Sequence, residues 1–268
     1  MAEVTDVTDR ADTPWLGWSP AGQAPRLWRH DEVGSTNDVA AELARAGAAH
    51  GTVVIAGAQT AGRGRQGHRW HSPPGRALYL SVVLRPALRP QGVPPITLAA
   101  GIAVCEALNA WDARASIKWP NDLLAGQPAR KVAGILTEMS TRGDDIAHVI
   151  LGIGVNVLST ADDFPPELRE IAGSLAIARG GSEGLTLAAF ERRLISELEH
   201  WLDVFLAGGV AAIAPAWRAR ASTLGQPVRV AGERGVVSGV AEALEDDGAL
   251  RVRTPSGDAV RVIAGELL

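Results

Sequence analysis

Cysteine is nearly missing: Cys105 is the single one in 268 residues. A disulfide within the chain is excluded, which fits a reducing compartment and a cytoplasmic protein. Cys105 lies in an apolar helical pattern and reads as a small buried hydrophobe. An excess of positive charge is also lacking. The net charge is −4, so no basic field marks a nucleic-acid binder, and no DNA partner is expected. The opening MAEVTDVTDR has neither a basic nor an apolar segment of the secretory type. No apolar run is expected to span a bilayer. There is no Gly-x-Ser-x-Gly elbow to anchor serine hydrolysis. His68 and His71 stand three apart in a loop with no third ligand nearby, so they read as incidental, and metal ligands stay unassigned.

Two other scarcities point somewhere. Of 26 basic residues only Lys118 and Lys131 are lysine, and asparagine occurs only at 37, 109, 121 and 156. In so lopsided a composition, both lysines and three of the asparagines fall in short motifs at expected strand ends or loops.

The richest stretch is Gly62 to Trp70, GRGRQGHRW. Its glycines allow close backbone approach to a ligand. Arg63, Arg65 and Arg69 offer permanent charge and forked donors suited to phosphate or carboxylate. Trp70 adds a flat apolar face. The spacing Gly62-x-Gly64-x-x-Gly67 also fits a dinucleotide fingerprint. That motif needs a helix at the third glycine, and Pro73, Pro74 and Gly75 rule one out. Loop amides and arginines must cradle any phosphate instead.

Taken in order, residues 1–25 read as a flexible tail, with Trp15 and Trp18 docking locally. A strand is expected over Arg26–Glu32. Gly34-Ser35-Thr36-Asn37-Asp38 then forms an N-cap region for a helix ending at Gly47. The same cluster can cap or can present hydroxyls and amides to a ligand. Val53–Ala56 and Leu78–Leu84 are strands flanking the glycine-arginine loop. Ile96–Ala110 is a helix, and Ala115–Leu124 a short strand broken by a proline turn. Val132–Met139 and His148–Val157 form a hairpin, the second arm carrying Gly152 and Gly154, where a ligand or backbone approaches closely. Thr186–Leu206 is an amphipathic helix and Ile213–Ala221 a shorter one. After Leu224 the pattern changes to short strands with Asp-Asp-Gly and Pro-Ser-Gly-Asp turns.

Five motifs, GSTN (34–37), QTAGRGRQGHRW (59–70), KWPND (118–122), KVAGIL (131–136) and LGIGVN (151–156), occur in an order and spacing that resemble the biotin protein ligase family. The resemblance spans about 26–268. It implies an α/β (α+β) fold, a mixed sheet flanked by helices over 26–222, followed by a small SH3-like barrel over 223–268. It implies two steps: biotin and ATP form biotinyl-5′-AMP, and a lysine of a biotin carboxyl carrier domain then takes the biotin. The carrier would belong to an acetyl-CoA, acyl-CoA or pyruvate carboxylase, and Mg²⁺ would accompany ATP.

In family terms Ser35, Thr36, Asn37, Gln59, Gly62, Arg63 and Gly64 would hold biotin, with Ser35, Thr36, Gln59 and Arg63 at its ureido end. Gly134 and Ile135 would line the biotin pocket, and Gly152 and Gly154 would give it clearance. Arg65 and Lys131 would act on the carboxylate and phosphate, Lys131 also touching biotin. Trp70 would stack on adenine. Arg69, Lys118, Asn121 and Asn156 would contact the nucleotide, and Asp122 would lie near metal or substrate. Trp119 and Pro120 read as structural. His68 departs from the arginine the family pattern implies. No winged helix-turn-helix precedes the catalytic motifs, so repressor activity is not expected. A lipoate-type transferase and a non-catalytic sensor are the rivals; Gln59 with the glycine-arginine run opposes the first, and the charge balance opposes the second. Monomer and homodimer stay open.

Overall fold

The computed structural model describes residues 27–232, 235–263 and 265–267. The expected tail, with Trp15 and Trp18, lies outside the described residues. Seven strands form one mixed sheet: β1 (Leu27–Val33), β2 (Val53–Gln59), β3 (Ala77–Leu84), β4 (Ser116–Lys118), β5 (Asp122–Ala125), β6 (Arg130–Arg142) and β7 (Asp145–Asn156). Their order is β1-β2-β3-β7-β6-β5-β4. Only β1 and β2 run parallel; every other pair is antiparallel.

Every residue of β3 is buried, as its apolar run demands of a central strand. Side-chain alternation gives the sheet two faces. One packs on α2 (Ile96–Asn109) and the long helix α4 (Leu187–Arg220) through residues such as Val53, Val82, Leu151 and Ile153. The other packs on α1 (Thr36–Arg45), where Ala40 and Ala44 meet Val54, Val83 and Ile150. On β7 that second face reads Ile150, Gly152, Gly154 and Asn156. It is apolar beneath α1 and bare backbone beyond it, and the bare half is where a cavity opens.

The two helices expected around 186–221 are both present, meeting within 187–220 at Gly209, whose φ of 64° breaks the helical path. A short helix, α3 (Leu175–Arg179), was not expected. Segment 115–124 is a hairpin of β4 and β5, because the Trp119–Asn121 turn reverses the chain. By length and composition, 90–109 and 187–220 could each cross a membrane, contrary to the sequence expectation. In the fold both contribute buried residues to the core beneath the sheet.

The C-terminal unit is a five-stranded antiparallel sheet of β8 (Pro227–Gly232), β9 (Gly235–Leu244), β10 (Leu250–Arg253), β11 (Ala259–Val262) and β12 (Glu266–Leu267), in the order β11-β10-β9-β8-β12. Among the described residues β11 and β12 are not paired, so the sheet is not a closed barrel. Trp119 joins the two units. Its ring is buried, its backbone N–H donates to Thr223 Oγ1 at 2.9 Å, and its Nε1 donates to the Gly248 carbonyl at 3.3 Å.

Candidate active site

A cleft of about 120 Å³ opens over the glycine half of the sheet, roofed by the glycine-arginine loop and closed at one end by the C-terminal sheet. All the site residues expected from the sequence line it except Gly62 and Asn156, and His68 lines it too. Gly62 is buried beside the cleft, where a Cβ would stand 2.7 Å from Ser72 Oγ. Asn156 is also buried; its Nδ2 donates to the Gly173 carbonyl at 2.9 Å. It therefore fixes segment 171–173, which bridges Lys131 in parallel, rather than facing the cleft.

The loop is a tight hairpin. Arg63 and Arg69 form a bridge, Gly64 N–H donates to the His68 carbonyl at 2.7 Å, and Trp70 N–H to the Gly62 carbonyl at 2.9 Å. Arg65–Gly67 makes one short turn with Gln66 at φ 55°, so no helix follows the third glycine. Trp70 lies across the sheet glycines. A Cβ on Gly154 would stand 2.6 Å from its Nε1, and one on Gly134 3.1 Å from Cζ3. That Nε1 is buried and has no hydrogen-bond partner.

The cations are held at set distances. Lys131 Nζ pairs with Asp122 Oδ1 at 2.7 Å and sits 5.5 Å from the centre of the Trp70 ring. Arg65 Nη1 donates to Asn121 Oδ1 and to the Gly265 carbonyl, both at 3.1 Å. Lys118 Nζ reaches the Leu267 carbonyl at 3.4 Å, and Arg69 Nη2 the Thr60 carbonyl at 3.2 Å. Asn121 Nδ2 donates to the Ile135 carbonyl, so this side chain bridges loop and strand.

The GSTN motif faces inward. Ser35 takes the N-cap position without a side-chain capping bond. Thr36 N–H and Oγ1 both donate to Gln59 Oε1, at 2.8 and 3.1 Å. Gln59 Nε2 donates to Ser72 Oγ, which donates to the Trp70 carbonyl. Ser81 Oγ lies 2.8 Å from Thr36 Oγ1 and 2.7 Å from Asn37 Oδ1. Asn37 Nδ2 donates to Glu138 Oε2 at 2.5 Å. Gly152 leaves the room Asn37 occupies: a Cβ there would stand 2.1 Å from Asn37 Oδ1.

Ser72, Ser81 and Glu138 escaped the sequence reading, and Asp38 entered it only as part of the N-cap cluster. Ser81 had a signal, as the one serine in the apolar run ALYLSVVL. Glu138 had another, since it shares the strand face of Gly134 and Leu136. Arg63 lines the cleft with its guanidinium already engaged. Its Nη1 donates to Asp38 at 2.7 Å and its Nη2 to Glu138 at 3.3 Å, so the guanidinium is turned to the protein's own carboxylates. The Asp38 bond foremost, opposed by some desolvation and aided by Glu138, raises the pKa of Arg63 further above its ordinary range. Among the described residues no three histidine, cysteine, aspartate or glutamate side chains cluster to hold a metal.

The arrangement combines arginine and lysine cations, polar groups for a neutral hydrogen-bonding headgroup, bare backbone and a flat indole. That suits an acyl group joined to a nucleotide, with positive charge where the carboxylate meets phosphate. A model of the biotin/lipoate A/B protein ligase family matches residues 32–156, and one of the biotin protein ligase C-terminal domain matches 223–267. The chain is 38% identical over 229 residues to the bifunctional ligase/repressor BirA of Bacillus subtilis (strain 168), covering 85% of this chain and 69% of that protein. It is 35% identical to the biotin–[acetyl-CoA-carboxylase] ligase of Paracoccus denitrificans, with 84% and 93% covered. The biotin protein ligase of Aquifex aeolicus, solved with biotin and ATP, superposes with a TM-score of 0.76 at 28% identity, with 90% and 97% covered.

Proposed function

Because the chain belongs to the biotin protein ligases of the biotin/lipoate A/B protein ligase family, we infer that it performs their two-step reaction with the residues just described. It is a ligase that forms biotinyl-5′-AMP from biotin and ATP and transfers biotin to a carrier protein. One observation carries the assignment of roles. Lys131 and Arg65 converge on the floor and roof of one cleft that also holds the GSTN–Gln59 network.

In the first step a biotin carboxylate oxygen attacks the α-phosphorus of ATP, and the bond to pyrophosphate breaks. Lys131 and Arg65 stabilise the charge that grows on the phosphoryl oxygens. Lys131 is held ready by Asp122 and by the Trp70 face. In the second step the neutral amine of a carrier lysine attacks the acyl carbon, the acyl–phosphate bond breaks, and AMP leaves with its electron pair. The bare backbone of Gly134, Gly152 and Gly154 gives substrate and loop room, and Thr36 with Gln59 offers donors and acceptors for the ureido ring.

Mg²⁺ fits the site as ATP's companion. Among the described residues Asp122 is the one carboxylate lining the cleft; it would help hold the ion, which would offset the charge of the triphosphate. The carriers we propose are carboxyl carrier domains of acetyl-CoA, acyl-CoA or pyruvate carboxylases. The place of action we propose is the cytoplasm, where ATP and those carboxylases meet. Incubation with ATP, Mg²⁺, biotin and a carrier domain should add one biotin mass to the carrier. A carrier that gains mass only when lipoate replaces biotin would overturn this reading.

A further inference from the structure

The geometry points to Arg63 as a latch that shuts the glycine-arginine loop over the cleft, with Asp38 and Glu138 as the positioning residues that hold it. The inference rests on the proposed reaction, because it concerns how the adenylate is kept.

Arg63 stands at the stem of the loop hairpin, bridged to Arg69. From there its two terminal nitrogens divide. One reaches Asp38 in the first turn of α1, and the other reaches Glu138 on β6. The loop is thereby tied to two walls of the cleft at once. Glu138 is tied in turn to the cleft interior, since it accepts from Asn37 Nδ2, and Asn37 accepts from Ser81. A guanidinium cannot be neutralised in this pH range, so the latch stays charged. Both of its forked ends are occupied by protein carboxylates, which leaves the hydrogen bonds of biotin's headgroup to Thr36, Gln59 and loop amides.

The chemistry supplies a reason for such a device. An acyl-adenylate is a mixed anhydride that water hydrolyses once it leaves the site. A loop closed by ion pairs can keep it until a carrier lysine arrives and can still open. Arg63, Asp38 and Glu138 are 38%, 56% and 42% exposed, so each pair is weak and screened by salt. Weakness is what a reversible closure requires.

The test uses the full chain loaded with biotin, ATP and Mg²⁺, with dissociation of labelled biotinyl-5′-AMP followed after an unlabelled chase. Asp38→Asn touches only the outer pair. Glu138→Gln keeps an acceptor for Asn37 while removing the charge. Each should speed release about twofold to fivefold, and together about tenfold, in line with exposed ion pairs. The parent's release should quicken as salt rises from 50 to 500 mM, while the double variant's should respond much less. A purely structural role would not produce that change in salt response. Unchanged release in both variants would overturn the latch. So would a lower KM for biotin in either variant, since that is the result expected if freeing Arg63 lets it bind biotin directly. A parent that binds biotin but forms no adenylate would instead sink the proposed reaction, and the latch with it.

Discussion

Trp70 lies so close over Gly154 that a Cβ on the glycine would stand 2.6 Å from the indole nitrogen. Gly154→Ala should therefore leave the sheet intact and push the ring off its seat, because the ring and its loop can move and the buried strand cannot. We expect the midpoint of thermal unfolding to change little and kcat/KM for adenylate formation to fall about tenfold to a hundredfold. Steady-state kinetics beside a melting curve checks both halves.

Gly152→Ala should behave differently. The added Cβ would stand 2.1 Å from Asn37 Oδ1, and Asn37 is buried and held by Ser81 and Glu138. It cannot swing away without breaking that network. A stability loss of about 1–3 kcal/mol, read from urea denaturation, is the expected mark of an overpacked core position. A loss matching that of Gly154→Ala would show that Asn37 yields freely.

Lys131→Ala should reduce biotin-dependent pyrophosphate exchange at least a hundredfold, the scale of losing one group that stabilises transition-state charge. It also leaves the Asp122 carboxylate, 22% exposed, without its cation. The double change Lys131→Ala with Asp122→Asn separates the two effects. It should recover any lost stability and none of the exchange rate. Recovery of exchange would remove Lys131 from the chemistry.

Arg65→Ala should loosen two things together, because Arg65 ties the loop to Asn121 and to the Gly265 carbonyl. We expect biotinyl-5′-AMP to escape faster, and residues 265–267 to exchange amide hydrogens faster. Faster escape with unaltered exchange there would limit Arg65 to ligand contact.

Burial drives the Cys105 thiol up to about 12, and it donates to the Ala115 carbonyl. The folded state thus keeps the proton that an unfolded thiol, with an ordinary pKa near 8.5, gives up. The sign follows. Stability is unaffected below about pH 8.5, then falls by up to about 1.4 kcal/mol per pH unit until pH 12. Tyr79, whose pKa burial also raises, adds to the decline from about pH 10. Cys105→Ala should flatten the melting curve's pH dependence between 8.5 and 10.

The motifs that lie on the cleft were legible because few residue types can serve there. Lys131, Arg65 and Gln59 stand where their motifs placed them, and Asn109, the asparagine outside the motifs, closes the 109–115 turn by bonding Ala115. The partners of those residues were not legible. Nothing local in the sequence pairs Arg63 with Glu138, 75 positions away, or Arg65 with Gly265, 200 away. Such pairings depend on strand order, which alternation alone leaves undetermined. Asn156 shows the same limit. Its motif marked it for the nucleotide, while the third dimension turned it toward Gly173. The break within 187–220 was legible, since the expected helices stop at Leu206 and resume at Ile213, on either side of Gly209.

The carbonyls of Gly265 and Leu267 that hold Arg65 and Lys118 carry a temporal consequence. A chain emerging from the ribosome has all five motifs by residue 156, long before the wall that steadies both cations exists. Fixing Arg65 and Lys118 in that geometry therefore waits on the docking of β12, which couples the cleft to the C-terminal sheet.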